Sequence, residues 1–139
     1  MKTKKRILSI ILAAVLILTA ALPAAAASDP LTYQKGSRLE SDGTVSSFYK
    51  VVSCVKTASG EITVPDTYQG LEVREIGDGA FADCGGITAV NIPSSVDRIG
   101  ANAFENCLGL EKVSYQGSAF ESSSRVIGVA AFRNCIALK

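Results

Sequence analysis

A repeated segment is the feature of this sequence that most limits its fold. The segment 76–92 reads IGDGAFADCGGITAVNI and the segment 99–115 reads IGANAFENCLGLEKVSY, so that the two copies align position by position without a gap. The pattern returns as IGVAAFRNCIAL at 127–138, after a longer interval. Small, aliphatic and aromatic residues recur at fixed steps, which is typical of a solenoid whose successive coils stack on one another.

Two insertions interrupt this period. The segment 62–65, Ile-Thr-Val-Pro, matches Val-Asn-Ile-Pro at 90–93 across a longer offset, and its additional length lies in 66–71. The five extra residues of the last copy fall within 116–125, a stretch rich in serine. Stretches of this composition between periodic segments are typical of loops. We therefore predict a surface loop here, with Phe120 as a candidate contact residue.

Each copy predicts one coil built from a strand and a turn. Val90 and Ile92 alternate with Ala89 and Asn91, the period of two that sends one set of side chains inward and the other outward. Pro93 ends this strand because it has no N–H for a ladder. The Ala-Phe pair of each copy begins a short helical turn whose ring fills the coil. The positions expected to form the core are Ile76, Phe81, Cys84, Ile99, Phe104, Cys107, Ile127, Phe132 and Cys135.

The repeated unit I-G-x-x-A-F-x-x-C-x-x-[LI]-x-x-V-x-[IY] resembles the bacterial BspA-like surface-antigen type of leucine-rich repeat. The resemblance covers residues 61–139. It implies a β-rich leucine-rich repeat solenoid of about three units, with short helical turns on the convex side and an incomplete C-terminal unit. It also implies a β-rich N-terminal cap in 28–60. Proteins of this type are secreted or surface-exposed and bind other proteins or host matrix, or carry the repeats beside another module.

Candidate strands of the cap region lie around 48–55 and 61–64. The Ser-Asp-Gly sequence at 41–43 and the Ser-Gly pair at 59–60 predict turns, because these residues favour turn conformations. A cap of this kind would close one end of the stack, which a solenoid requires for solubility.

The segment 1–27 predicts a secretory signal peptide. Four basic residues near its start precede an apolar run from 7 to 22, and an alanine run ends at Ala27. A membrane-spanning helix needs about 20 apolar residues, so an uncleaved anchor is the less favoured alternative. We therefore expect a secreted protein, either free or attached to the cell surface, with no membrane insertion after cleavage.

Charge and composition argue against two functional classes. Four of the 14 lysines and arginines lie in 1–27, so the rest of the chain has 10 basic and 13 acidic groups and a formal charge of −3. This balance argues against nucleic acid binding, which favours a basic surface. The chain has no histidine, the most frequent general base and a common metal ligand. We therefore expect no enzymatic activity, no catalytic residues and no metal or cofactor site.

Three of the four cysteines occupy one position of the repeat. Cys84, Cys107 and Cys135 are expected to stack in neighbouring coils about 4.8 Å apart, a spacing within the Cα range of disulfides. Secretion permits oxidation, but three residues in one column cannot all pair, and Cys54 falls outside the repeat register. We interpret the column as buried thiols that pack as small apolar side chains, with a disulfide or a metal role as the alternative.

Other residues that could take part in catalysis show no spacing typical of an active site. Acidic pairs on neighbouring coils could approach each other as in a glycosidase, yet nothing in the sequence selects a pair, and we expect solvated surface residues. The serines at 46–47 and 122–124 have no partner base. The carboxylates concerned are Glu72, Glu75, Asp78, Asp83, Asp97, Glu105 and Glu111.

The outward positions of successive strands form the candidate binding face. Solenoids commonly bind partners on such a stacked sheet, so a protein or extracellular-matrix ligand is the expected partner. A solvated face without a ligand is the alternative, because the side chains are small and of mixed character. The candidate residues are Glu61, Thr63, Ala89, Asn91, Lys112 and Ser114.

The last copy stops at Lys139, before the strand residues that would match Val113 and Tyr115. An open strand edge invites pairing with another chain, so we expect either a longer protein or self-association through this coil. The sequence thus favours a non-catalytic module for protein binding or adhesion. The alternative is a non-catalytic leader of a larger secreted hydrolase or peptidase.

Overall fold

The computed structural model describes residues 29–117 and 125–139, and these residues form strands and turns without a helix. The predicted signal peptide at 1–27 and the candidate contact Phe120 lie outside the described residues. The strands of the described ranges are β1 (Leu31–Leu39), β2 (Val45–Cys54), β3 (Ser59–Thr63), β4 (Thr67–Tyr68), β5 (Leu71–Ile76), β6 (Gly86–Ile92), β7 (Arg98–Ile99), β8 (Lys112–Tyr115) and β9 (Val126–Ile127).

The strands form two sheets. The larger has the order β1-β2-β5-β7-β9, with β4 paired to β5 beside this path. Its β1–β2 and β4–β5 pairs are antiparallel, whereas β2, β5, β7 and β9 run parallel. The smaller sheet is parallel and has the order β3-β6-β8. Successive coils therefore add strands in parallel to both sheets, which is the arrangement of a solenoid.

The strand register confirms the repeat that the sequence predicts. Ile76 pairs with Ile99, and Ile99 pairs with Ile127, so that the three copies stand side by side in the larger sheet. In the smaller sheet Val90 pairs with Val113. Ile62 pairs with Val90, which confirms the weaker first copy at its longer offset. The additional residues of that copy form β4 and the turn into β5.

A column of phenylalanine rings fills the coils. The centroid of Phe81 lies 4.8 Å from that of Phe104, and the centroid of Phe104 lies 5.1 Å from that of Phe132, with the rings nearly parallel in both pairs. The core predictions that the structure confirms as buried are Ile76, Phe81, Cys84, Ile99, Phe104 and Cys107.

The last coil differs from the core prediction. Ile127 is 49% exposed, and Phe132 and Cys135 are only partly buried. The reason is that no described coil packs on their outer side, so these three residues have a neighbouring coil on one side only.

The glycine after each isoleucine is required by the close approach of neighbouring coils. The N–H of Gly100 donates to the carbonyl of Ile76, and that of Gly128 donates to the carbonyl of Ile99, both over 2.7 Å. A Cβ at position 100 would lie 2.6 Å from the carbonyl carbon of Gly77, and one at position 128 would lie 2.8 Å from Cα of Ala101. A side chain at either position would therefore push the coils apart.

The expected helical turns are not confirmed as helix. The Ala-Phe segments form turns closed by bonds between residues three apart, such as Cys84 N–H to Phe81 carbonyl and Cys107 N–H to Phe104 carbonyl. Other N–H groups of these segments point along the stack instead, as when Phe81 donates to the carbonyl of Ala103. Inter-coil bonds thus replace the intra-helical bonds that a helix would require.

Two predictions near the first coil differ in their outcome. Ser59 and Gly60 do not form a turn but belong to β3, where Gly60 has a φ of 76° beside an irregularity in the register. The turn lies earlier, at residues 56–57, and the N–H of Ala58 closes it on the carbonyl of Val55. Gly60 supplies the left-handed conformation that such a bulge needs. The turn predicted at 41–43 is confirmed.

Cys54 is not outside the coil register. Its N–H donates to the carbonyl of Ala80, the same bond that Phe81 makes to Ala103 in the next coil. Cys54 therefore takes the phenylalanine position of the first coil. The sequence spacing hides this because Val51, which aligns with Ile76 in the sheet, is only three residues before Cys54.

Candidate binding face

The parallel register of the smaller sheet assembles the six predicted face residues into two rows. Glu61 pairs with Ala89, and Ala89 pairs with Lys112. In the same way the second row crosses the three strands from Thr63 through Asn91 to Ser114. The residues between the two rows point the other way: Ile62 and Val90 are buried, and Val113 is half-buried. The alternation of each strand therefore separates this face from the core, as the sequence predicts.

Asn91 links the first two strands of the face. Its Nδ2 donates to Oε1 of Glu61 over 2.5 Å and to Oγ1 of Thr63 over 3.2 Å. Glu61, Thr63 and Lys112 are exposed, while the side chains of the central strand and Ser114 are half-buried. The face thus offers a carboxylate, an ammonium group, hydroxyls and an amide on three paired strands, which suits hydrogen bonding to a protein surface.

Cys84 and Cys107 are buried thiols, as the sequence predicts, whereas Cys135 is only half-buried. All four cysteines are free, and the Sγ of Cys107 donates to the carbonyl of Phe81 over 3.0 Å. Cys135 donates to Phe104 in the same way over 3.1 Å, and Cys84 points to the carbonyl of Cys54. Burial raises the pKa of the Cys54 and Cys107 thiols to about 12 and also raises that of Cys135. Protonated, buried thiols are poor nucleophiles and poor metal ligands.

The carboxylates are divided between surface and structural positions. Asp83 accepts from Asn106 over 2.8 Å, and Asp78 accepts from the N–H of Ala101 over 2.9 Å. Glu105 and Glu111 make long ion pairs, with Arg133 and Lys139 respectively. Glu72 is exposed. The prediction of solvated carboxylates is wrong for Glu75 and Asp97, which are only 17% and 18% exposed.

Glu75 and Asp97 belong to a cluster on the outer face of the larger sheet, called here the charge cluster. Arg38 donates to Glu75 over 2.7 Å and to both oxygens of Asp97 over 2.8 and 3.1 Å. Arg74 donates to Glu40 over 2.8 Å and to Asp97 over 2.9 Å. Ser46 Oγ donates to Glu40 and accepts from Arg74. The members of the charge cluster are Arg38, Glu40, Ser46, Arg74, Glu75 and Asp97.

The charge cluster surrounds one aromatic ring and lowers the pKa of two of its acids, Asp97 and Glu40. The guanidinium carbons of Arg38 and Arg74 lie 5.4 and 5.9 Å from the ring centre of Phe48, which is 4% exposed. Burial alone would raise the pKa of Asp97, but hydrogen bonds from the two arginines outweigh it and lower that pKa below its usual value. The hydroxyl of Ser46 and the Arg74 guanidinium lower the pKa of Glu40.

Sequence reasoning missed the charge cluster because Arg38 and Glu40 lie outside the repeat, although Arg74 and Asp97 are 23 residues apart, the step that relates Ile76 to Ile99. Arg38 and Asp97 are 59 residues apart, and Arg38 and Glu75 are 37 apart. The one local signal is Phe48, an aromatic residue in a strand outside the repeat. Among the described residues no group of three or more cysteines and carboxylates is arranged to hold a metal ion. The same ranges contain no helix long and apolar enough to cross a membrane.

The comparisons with known proteins agree with the geometry. The model of the family described as "BspA type Leucine rich repeat region" matches residues 54–139, with six copies of its repeat. No curated protein matches the sequence significantly.

Three solved structures give the scale of the similarity. The leucine-rich repeat protein of T. pallidum is 27% identical with a TM-score of 0.57, and the match covers 74% of this chain and 44% of that one. A leucine-rich cell surface protein of Faecalibacterium prausnitzii is 30% identical with a TM-score of 0.53, covering 74% and 27%. A leucine-rich repeat protein of Bacteroides capillosus is 26% identical with a TM-score of 0.58, covering 80% and 75%. The chain thus spans less than half the length of the first two.

Proposed function

The chain belongs to the BspA-type leucine-rich repeat family, and on this basis we propose that it is a non-catalytic protein-binding module that acts outside the cell. Its binding surface is the face of the β3-β6-β8 sheet, and its partner is a protein, including the proteins of an extracellular matrix. The same proposal places the protein in the secreted fraction or at the cell surface.

The register of the smaller sheet is the observation that carries this proposal. Two rows of outward side chains, Glu61-Ala89-Lys112 and Thr63-Asn91-Ser114, lie on three adjacent strands. Neighbouring strands in a sheet are about 4.8 Å apart, so the rows form a continuous polar surface. Recognition across such a surface uses many weak contacts, and it requires neither a deep pocket nor a general base.

Two further observations support the location and the absence of catalysis. The similar protein of Faecalibacterium prausnitzii is described as a cell surface protein, and the segment 1–27 of this chain predicts a signal peptide. The chain contains no histidine, and burial raises the pKa of the Cys54 and Cys107 thiols to about 12, which moves them further from the thiolate form that a nucleophile needs. A binding role therefore fits these residues better than hydrolysis does.

A pair of matched substitutions tests the face. Thr63→Arg adds a long charged side chain to the proposed surface on β3, next to Asn91 of the central strand, whereas Thr67→Arg makes the same change at an exposed position of β4 in the other sheet. Binding of each purified variant to immobilised extracellular-matrix proteins, collagen and laminin first, is measured by surface plasmon resonance. We expect Thr63→Arg to weaken binding at least tenfold, a loss of about 1.4 kcal/mol or more, and Thr67→Arg to change it less than twofold, since misplaced charge within an interface disfavours binding.

Equal loss in both variants would contradict the assignment of the face, and no binding by the unmodified chain to any protein of the panel would contradict the matrix-binding role. Circular dichroism of both variants checks that the strands remain intact. Cell fractionation of the native host tests the location independently, because a protein retained in the cytoplasm would contradict secretion.

A further inference from the structure

The charge cluster joins parts of the chain that the strand ladders connect weakly. In the described ranges β1 pairs with β2, and β2 pairs with β5 only from Tyr49 to Val51. The distal half of the β1–β2 hairpin therefore extends beyond this short ladder, and its tip residues Leu39 and Val45 are 71% and 67% exposed. Arg38 and Glu40, near that tip, reach β5 and the segment before β7 through side chains alone.

The two arginines are held by acids from three different segments. Glu40 follows β1, Glu75 lies in β5 and Asp97 precedes β7. Asp97 accepts from both arginines, so that it bridges Arg38 of the hairpin and Arg74 of the first coil. The pairs are one-fifth to one-third exposed at the arginines, a setting in which ion pairs are screened less than on an open surface.

We propose that the charge cluster is an electrostatic latch that closes the distal half of the N-terminal hairpin onto the first coils. Opening of the hairpin is then governed by pH and ionic strength, whereas the coil stack is not. When the latch opens, the Phe48 ring becomes more accessible, because the Arg74 guanidinium that lies over it stays with β5 while Phe48 and Arg38 move with the hairpin.

The direction of the pH response follows from the acids. The pKa values of Asp97 and Glu40 are lower in the folded protein than their ordinary values of 3.8 and 4.5. Their contribution to closure is therefore complete above about pH 5 and is lost as the pH falls below their ordinary pKa values. The other charged groups close to these acids are Lys50 and Arg98, which pair across the strands with Glu75, and Arg125, which borders the same surface pocket as Asp97.

Hydrogen–deuterium exchange of the full chain, resolved by mass spectrometry, tests the latch. Lowering the pH from 6 to 3.5, after correction for intrinsic exchange rates, is expected to increase opening of segment 36–48 about tenfold while segments 86–92 and 112–115 change less than twofold. Sodium chloride at 1 M, at pH 6, is expected to act in the same direction and on the same segment, because it shortens the Debye length to about 3 Å.

A matched pair of variants separates the latch from a general loss of charge. Arg38→Met removes the two ion pairs of β1, while Lys35→Met removes one positive charge from an exposed position of the same strand. We expect Arg38→Met to raise opening of 36–48 about tenfold at pH 6 and to reduce its pH and salt response, because only the Glu40–Arg74 ion pair then joins the hairpin to β5. Lys35→Met is expected to behave as the unmodified chain does.

Several outcomes would overturn the proposal. Equal increases in hydrogen–deuterium exchange in the hairpin and in the β6 and β8 segments at pH 3.5 would show global destabilisation rather than a latch. An unchanged hairpin at low pH and high salt would show that apolar contacts alone hold it closed. The salt and pH series on the unmodified chain decides the question even if Arg38→Met does not fold.

Discussion

Phe48 in the hairpin and Phe104 in the coils are both almost fully buried, 4% and 0% exposed, but different neighbours cover them. Phe104 lies between the rings of Phe81 and Phe132, which occupy the same position of adjacent repeats. Phe48 lies on the outer face of the sheet beneath Arg38 and Arg74. The Phe104 ring thus packs between equivalent rings of the neighbouring repeats, whereas the Phe48 ring is covered by charged side chains from other segments of the chain.

This difference separates two ways of stabilising the molecule. In the coils, each apolar side chain has an equivalent one strand away, so that stability accumulates through nearest-neighbour packing. In the hairpin, the Tyr68 ring stacks on Tyr33 at 4.0 Å and meets Tyr49 edge-on at 5.0 Å, and ion pairs hold the part nearer the tip. The contacts of the hairpin thus occur once each, and its stability should respond to solvent conditions that leave the coils unchanged.

The largest effect is expected from Phe104→Ala. The substitution removes a fully buried ring and opens a cavity between two neighbours, which costs about 3–5 kcal/mol of the free energy of unfolding. Tyr68→Ala, which truncates a half-buried ring packed on the hairpin, is expected to cost less than half as much. Urea unfolding followed by circular dichroism measures both. Equal costs would contradict the view that the repeat column carries most of the stability.

The sequence predicts the coils well because packing in a solenoid is periodic. Ile76, Phe81 and Cys84 could be assigned to the core because their equivalents recur at a fixed step, and the strand ladders confirm this step. The same periodicity places the outward residues Thr63 and Asn91 side by side. The face could thus be located from the sequence, although its ligand could not, because small polar side chains do not specify one partner.

The hairpin contacts could not be predicted for the opposite reason. Arg38 meets Glu75 and Asp97 through the fold, and no repeat spacing relates it to them. Arg74 and Asp97 are one repeat step of 23 residues apart, but nothing in the sequence shows that an arginine of the hairpin joins them. The position of Cys54 could not be predicted either, because Cys54 replaces the phenylalanine of the repeat in the first coil. The A-F-x-x-C pattern does not reveal a position at which the phenylalanine itself is substituted. Ile127 is exposed although its equivalents Ile76 and Ile99 are buried. Its exposure reflects its position in the last described coil rather than its residue type.

Substitutions of Asn106 are expected to lower the free energy of unfolding by an intermediate amount. Its Nδ2 donates to Asp83 and its Oδ1 accepts from Asn134, both over 2.8 Å, and its φ of 59° is left-handed. Asn106→Ala loses the two bonds and strains the backbone, which together cost about 2 kcal/mol. Asn106→Gly keeps the backbone conformation and loses only the bonds, at about 1 kcal/mol.

The two variants separate the contribution of the left-handed backbone at position 106 from that of the side-chain hydrogen bonds. If alanine and glycine at position 106 unfold at the same urea concentration, the left-handed backbone contributes nothing. If neither variant differs from the unmodified chain, the polar side chains along the turns add no stability and the phenylalanine column alone holds the stack. The same unfolding assay serves for both, with Arg38→Met as the corresponding change in the hairpin.

The smallest effect is expected from Cys107→Ser, which replaces a buried S–H donor by a smaller and more polar group at a cost of about 1 kcal/mol near pH 7. Burial raises the pKa of the Cys107 thiol to about 12, so the folded protein keeps this proton at a pH where the unfolded chain, with an ordinary pKa near 9, loses it. The stability that the thiol contributes is therefore complete below about pH 9 and declines as the pH rises towards 12. Under reducing conditions the difference in the free energy of unfolding between the two proteins should narrow by about 1 kcal/mol from pH 7.5 to pH 10. A constant difference across this range would mean that the thiol ionises as readily in the coil as in water, which its burial does not allow.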